Sequence, residues 1–279
     1  MDLYTRNAIA TSIITTKNYS TSFSIGIRLL GKKYRDAIYA IYGFVRIADE
    51  IVDTFHEHDQ IQMLENFRTE TFKAIDERIH TNPILHAFQW AVNTYNIDRE
   101  LIASFLYSME MDLYQQTFTE EEYHKYIYGS AEVVGLMCLR VFYAQEPLVF
   151  ESLKPSARKL GEAFQKINFL RDINSDIRER GRLYFPNVDL AEFNNQTKLE
   201  IENDIQYDFD EAFKGIKLLK PEARLGVYIS YIYYLSLFRK IKQANAQSLF
   251  IKRHRVSDAG KMYLLIRGYF ENYWIKNAG

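Results

Sequence analysis

With one cysteine in 279 residues, Cys138, an intramolecular disulfide is impossible, and a reducing, cytoplasmic setting is expected. Prolines number five and glycines twelve, and neither gathers into a linker that would divide the chain. No charge of one sign dominates: 35 Lys and Arg face 36 Asp and Glu, and the net charge of -1 argues against nucleic-acid binding. No apolar run reaches the roughly 18 residues of a membrane span. The closest, residues 227–238 (V-Y-I-S-Y-I-Y-Y-L-S-L-F), reads as a buried helix. The opening M-D-L-Y-T-R-N-A lacks the charged-then-apolar layout of a signal peptide, so the Asn195-Gln196-Thr197 sequon is taken as chance. The six histidines show no zinc spacing, and no glycine-rich dinucleotide fingerprint is present. Cys138 sits on an apolar face and reads as a core thiol, not a nucleophile.

What the chain has is aromatic mass, 21 Tyr and 19 Phe within a hydrophobic content of 47%. Most of these rings must build a core, and a fraction is available to line a deep apolar cavity. Strand-like alternation and βα repeats are missing, and the periodicity is helical nearly throughout. The expected architecture is a single all-α bundle over residues 1–279. Helices are expected within 7–30 and over 33–55, 61–79, 84–95 and 98–116. Thr119-x-x-Glu122 is a capping box that opens the next helix, which carries Tyr128, Glu132 and Gly135 on one face. After Pro147 and Pro155 a helix is expected to begin at Ser156 and to end in the basic loop R-G-R-L-Y-F-P at 180–186. Further helices are expected over 197–219, 221–246 and 257–273. The last of these is amphipathic with basic flanks; packing on the bundle is its default use and contact with the inner face of a membrane the alternative.

Two stretches carry the chemistry. Residues 165–176 read Q-K-I-N-F-L-R-D-I-N-S-D, and on a helix Gln165, Asn168, Asp172 and Asp176 fall on one stripe. In the helix over 33–55, Tyr42, Arg46, Asp49 and Asp53 form a similar stripe beside the apolar Ile38, Ile41, Val45, Ala48 and Val52. Glu50 lies off that stripe and is expected in solvent. Carboxylates one helical turn apart repel, by roughly 0.2–0.5 kcal/mol in an isolated helix, so each pair calls for a positive partner. One Asp-x-x-x-Asp is commonly just a solvated face. Two of them, each beside an apolar stripe, would make a strongly negative pocket if the helices face one another. Oxygen ligands of this kind suit Mg²⁺, which usually keeps waters and shares substrate phosphates. Arg46, Arg171 and Arg182 stand close to both motifs, and guanidinium forks suit phosphate oxygens. Carboxylates, arginines and aromatic rings together point to a diphosphate ester with a long apolar tail. The chemistry would be ionisation, with an allylic cation tolerated by aromatic faces.

These stretches resemble the squalene and phytoene synthases, head-to-head prenyl synthases with an all-α isoprenoid-synthase fold, over nearly the whole chain. The resemblance rests on Y-S-T-S-F-S at 19–24, R-I-A-D-E-I-V-D at 46–53, Y-G-S-A-E-V-V-G-L-M at 128–137 and Q-K-I-N-F-L-R-D-I-N-S-D-I-R-E-R-G-R-L-Y-F-P at 165–186. It implies that Asp49, Asp53, Asn168, Asp172 and Asp176 bind Mg²⁺ and diphosphate, with Gln165 in support. It also implies that Ser20, Ser22, Phe23 and Arg46 belong to the substrate-binding flap region, and that Tyr42, Tyr128 and Tyr234 lie near the reacting carbons or the diphosphates. Arg171, Arg182 and Arg255 would hold diphosphate. The V-V-G-L-M tract and R-V-S-D-A-G-K-M-Y-L-L are most like bacterial phytoene synthases, which condense two geranylgeranyl diphosphates without NADPH.

The partners implied are prenyl diphosphates, a membrane surface and the next enzyme of a carotenoid pathway. The rivals are a squalene or dehydrosqualene synthase acting on farnesyl diphosphate, a terpene cyclase, and a non-catalytic assembly factor of the same fold. Retention of all four aspartates speaks against the last. Glu132 departs from the family, which usually has Gly there, and must either point into the cavity or find a partner such as an arginine. Tyr19 and Thr21 replace a frequent His and Lys.

Overall fold

A computed structural model of the chain describes residues 1–186, Val188 and residues 193–277, with side chains through Asn272. These fold as α1 (Leu3–Tyr19), α2 (Thr21–Leu29), α3 (Lys32–Asp53), α4 (Gln60–Glu77), α5 (Pro83–Tyr95), α6 (Arg99–Tyr114), α7 (Glu120–Ile127), a π-turn (Tyr128–Glu132), α8 (Val133–Phe142), α9 (Pro147–Arg180), α10 (Asn195–Leu218), α11 (Pro221–Gln243), the short α12 (Ala246–Leu249) and α13 (Asp258–Asn277). The β-type pairing among the described residues is one isolated bridge, Thr117 to Leu183. The fold is the single-domain all-α bundle expected.

Local chemistry sets most boundaries. Ser20 leaves helical geometry and its hydroxyl accepts from the Phe23 amide at 3.2 Å, so a hydroxyl of the Y-S-T-S-F-S stretch caps α2 and separates it from α1. Asn82 caps α5 with Pro83 in its first turn, and Thr119 and Glu122 cap α7 reciprocally, as the sequence predicts. Helix α9 differs from expectation. It begins at Pro147, not Ser156, and runs through Pro155 for 34 residues, about 51 Å at 1.5 Å per residue. An interior proline costs roughly 3 kcal/mol. Phe150 and Leu153, both buried, continue the apolar face of α9 across it, and their burial at roughly 1.5–3 kcal/mol each covers that cost.

Two apolar clusters fill the bundle. In the first, α3 is central and packs on α1, α5, α6 and α8, with the Phe44 and Phe88 rings stacked at 3.8 Å. In the second, α9 packs on α10, and α11 carries the aromatic run Tyr228, Tyr231, Tyr234 and Phe238. The α9–α10 seam holds a buried ion network. The Lys166 ammonium lies 2.7 Å from both Glu162 and Asp208 and also pairs with Asp204, while Lys159 reaches Asp208 at 2.8 Å. Glu162, Asp204 and Asp208 converge closely enough to hold a metal ion, but a lysine already fills that place. The network is a helix tie.

Lys166 has side-chain exposure of 2%, and its loss would leave Glu162 and the fully buried Asp208 to share the single charge of Lys159. Lys166→Met is therefore expected to lower unfolding free energy in urea by about 3–5 kcal/mol, with far-UV circular dichroism unchanged in water.

Candidate active site

The two acidic stripes meet at one end of the bundle, and arginines join them. Arg180, one turn beyond Asp176 on α9, sits 2.8 Å from Asp176 Oδ1 and 3.3 Å from Asp53 Oδ2 on α3. Arg182 follows the helix end, where Gly181 takes φ 65°, a left-handed geometry that suits glycine, and turns the chain back. The Arg182 guanidinium then lies 3.1 Å from Asp53 and 3.4 Å from Asp112 of α6. Arg171 and Arg253 both hold Asp172, at 2.5 Å and 2.6 Å. Arg46 pairs with Asp49 and with Glu50, and its guanidinium lies over the Tyr19 ring at 4.4 Å. Glu50 is thus not in solvent as expected. One turn from Arg46 it is within reach of the fork, and its side-chain exposure is 13%.

The charge balance follows from this packing. Burial, with Asp172 adding like charge, pushes Asp176 up to about 6 despite Arg180. Burial and then Asp53 push Asp49 in the same direction. Burial would also raise Asp172, but hydrogen bonds and charge from Arg171, with Arg253, outweigh it and hold the group below the usual carboxylate range. Burial and like charge therefore disfavour the ionised form of Asp49 and Asp176 even with the arginines in place, and added positive charge would stabilise it. A set of hard oxygen donors that favours added positive charge fits a divalent cation such as Mg²⁺. Asp112 lies behind this cluster, accepting from Tyr126 at 2.8 Å and Tyr184 at 2.9 Å. Burial raises it to about 7 against the pull of Arg182. Its geometry fixes the Arg182 head.

Below the carboxylates opens an apolar cavity of about 390 Å³. Arg46, Asp49, Gln165 and Asn168 line its mouth. Phe23, Tyr42 and Tyr234 cluster there, with Phe23 5.7 Å from Tyr42 and 6.1 Å from Tyr234, and Phe164 stacks on Tyr234 at 3.9 Å. The Tyr234 hydroxyl reaches Asn168 at 3.4 Å, as does the Gln165 oxygen to the Asn168 amide. Burial pushes Tyr42 up to about 12, so it stays a neutral phenol at any working pH. The π-turn and α8 run antiparallel to α9, because Gly161 faces Ala131 and Gly135 faces Ala157. A Cβ at Gly161 would stand 2.7 Å from the Ala131 carbonyl, so glycine permits that contact. The far end is closed by Leu30, Leu139, Phe142, Leu153 and Leu219. From Leu153 to Asn168 the wall spans roughly 22 Å of helix.

The structure gathers most of the residues singled out in the sequence. Tyr42, Arg46, Asp49, Gln165, Asn168, Phe23 and Tyr234 line the cavity, and Asp53, Asp172, Asp176, Arg171 and Arg182 continue past its mouth. Ser20 caps α2, and Ser22 lies half-buried in the first turn of α2. Two are placed elsewhere. Tyr128 is outside the cavity lining and lies under the Arg158 guanidinium at 5.2 Å. The π-turn rotates the chain there, so Tyr126, Ser130 and Ala131 face the cavity instead. Glu132, on the same turn, is buried and paired with Arg158, the partner that its departure from glycine required. Arg255 is exposed, with its carbonyl accepting from Lys240 at 3.1 Å, and Arg253, two residues earlier, is the arginine at Asp172.

Arg180, Arg253, Asp112 and Tyr126 are the residues that sequence reading missed. Arg180 carried a local signal, one turn from Asp176, whereas Arg253 is 81 residues from Asp172 and carried none.

A sequence model described as squalene/phytoene synthase matches residues 16–259. Among characterised relatives, 4,4'-diapophytoene synthase of Staphylococcus haemolyticus is 27% identical, covering 82% of this chain and 85% of its own length. Phytoene synthase of Arthrospira platensis is 29% identical, covering 90% and 88%. Among solved structures, a dehydrosqualene synthase in complex with ligand superposes with a TM-score of 0.80 at 22% identity, covering 96% of this chain and 97% of that one.

A carboxylate whose pKa is raised on folding costs stability above its unfolded value near 4, and the cost is complete above about 6. Asp176→Asn is therefore expected to raise the Tm of the metal-free protein by a few degrees at pH 7.5, with the gain vanishing as pH falls to 4. Thermal scans of both proteins across that range check it.

Proposed function

The chain belongs to the squalene/phytoene synthase family, and on that premise we propose that it is a Mg²⁺-dependent phytoene synthase. In this reading two geranylgeranyl diphosphates condense head to head through a cyclopropylcarbinyl diphosphate, and both diphosphates are released. Members of the family are prenyltransferases that use divalent metal ions on diphosphate substrates. The observation that carries the reading is the junction of an arginine-laced carboxylate cluster with a long apolar cavity.

Asp49, Asp53, Asn168, Asp172 and Asp176 would hold the metal, which when bound neutralises the charge developing on the leaving diphosphate. Arg171, Arg180, Arg182 and Arg253 donate to diphosphate oxygens, and Asp112, through Arg182 and Tyr184, keeps one of these forks aimed. Phe23, Tyr42, Phe164 and Tyr234 present ring faces at the mouth, where a cation left by ionisation would sit and where they exclude water. The aliphatic wall down to Phe142 takes the tail. Its span of roughly 22 Å favours a long prenyl chain. Farnesyl diphosphate is the second reading, favoured by the similarity to the Staphylococcus haemolyticus enzyme.

The test is a product assay on purified protein with Mg²⁺, offering each diphosphate separately without NADPH. Phytoene from geranylgeranyl diphosphate is expected, abolished by EDTA and restored by Mg²⁺. A hydrocarbon from farnesyl diphosphate alone would move the specificity, and none from either would overturn the reading. Ala157 lines the wall 11 residues below Asn168. Ala157→Phe is expected to cut turnover of the longer substrate at least roughly tenfold more than that of the shorter, because its ring blocks the lower cavity.

A further inference from the structure

Ser130 lines the cavity, and its hydroxyl oxygen is buried without a hydrogen-bond partner. A buried polar atom left unpaired costs stability, and such atoms are rare in folded proteins. Thr16, Thr71 and Ser230 avoid that cost by donating back onto their own helices, to the carbonyls of Ser12, Phe67 and Gly226 at 2.8, 2.6 and 3.1 Å. Ser130 stands in the middle of the π-turn, where the backbone ladder reaches the fifth residue back, from the Val133 amide to the Tyr128 carbonyl. There its hydroxyl makes no such bond.

The turn is held in this form from outside the cavity. Arg158 of α9 grips both of its ends, pairing with Glu132 and lying over the Tyr128 ring at 5.2 Å. Gly129 admits the Ser104 carbonyl of α6, where any side chain would collide. With its ends held outside, the turn gives Ser130 and Ala131 to the cavity, and Val134, Gly135 and Cys138 continue the wall. Ser130 brings the side-chain oxygen to that stretch.

Its depth identifies the species it meets. Tyr126, one turn earlier, donates to Asp112 at 2.8 Å, and Asp112 lies 3.4 Å from Arg182, a diphosphate ligand in the proposed function. Ser130 is one turn further from the mouth, because this segment runs antiparallel to α9. One turn is roughly 5 Å, which carries the wall from the level of a diphosphate to that of the allylic carbons it leaves. A hydroxyl whose hydrogen is tied to nothing can turn a lone pair toward positive charge, and in a wall that excludes water such a dipole acts strongly.

We propose that Ser130 is a catalytic residue of the prenyl condensation, its oxygen facing the allylic cation formed on ionisation and stabilising it until the second chain attacks. The assignment rests on the prenyl synthase reading. The serine neither gains nor loses a proton, and the C–O bond that breaks leaves its electron pair on the departing diphosphate.

The test compares Ser130→Thr with Ser130→Val, which share a shape and differ in the hydroxyl. Wild type and both variants, as full chains with Mg²⁺, are followed in single turnover at rising concentrations of geranylgeranyl and of farnesyl diphosphate. Urea unfolding is measured on each by circular dichroism. The valine variant is expected to react roughly tenfold more slowly than the threonine variant at saturation, with half-saturating concentrations alike. Its urea midpoint is expected at or above that of the threonine variant, since the oxygen has no protein partner to lose. Equal rates for the two variants, a difference confined to the half-saturating concentration, or a lower urea midpoint for valine would overturn the proposal. A wild type that converts neither diphosphate would overturn the prenyl synthase reading and this assignment with it, whereas an active wild type with equal variants overturns the assignment alone.

Discussion

Like charges brought together at the edge of an apolar cavity govern this structure. Asp49 and Asp53 on α3, and Asp172 and Asp176 on α9, repel within each pair, and burial sharpens that repulsion. Five arginines lie against them, and Arg180 spans from one helix to the other. The arginines do not fully offset burial and like charge, since Asp49 and Asp176 still hold protons more tightly than free carboxylates. Stability is given up locally so that added positive charge is favoured at this spot.

The rest of the fold holds that spot in place. Helix α9 continues through Pro155 and so supplies one wall from floor to mouth on a single rigid element. The Lys166 network fixes α9 to α10, with Lys166 and Asp208 buried in the seam, while Asp112, Tyr126 and Tyr184 fix the Arg182 head. The π-turn at Tyr128–Glu132 sets which side chains of its segment face the cavity, and Glu132 is neutralised outside the lining by Arg158. Cys138 lines the wall as an inert group, its thiol pushed up to about 12 by burial.

The helices and the two acidic stripes were legible because both follow from periodicity. A stripe at spacings of three and four is a statement about one helix, and α3 and α9 obey it. What was not legible depended on contacts between distant segments or on departures from regular geometry. Arg253 reaches Asp172 from another part of the chain, so no local pattern distinguished it from the exposed Arg255. Tyr128 was read on a regular helix, and the π-turn displaced it to Arg158. The proline at 155 makes Ser156 the expected helix start, and the burial of Phe150 and Leu153 carries the helix back to Pro147 instead. Glu50 was read as solvated because the stripe alone was considered, not the reach of the Arg46 fork.

The central claim is that the paired aspartates of α3 and α9 form one binding site for a divalent cation and diphosphate. Calorimetric titration of Mg²⁺ with inorganic diphosphate into the full protein, and into Asp53→Asn/Asp176→Asn, tests it without turnover. The account predicts saturable binding that requires both components and is lost in the double variant. Equal binding by wild type and variant would contradict it.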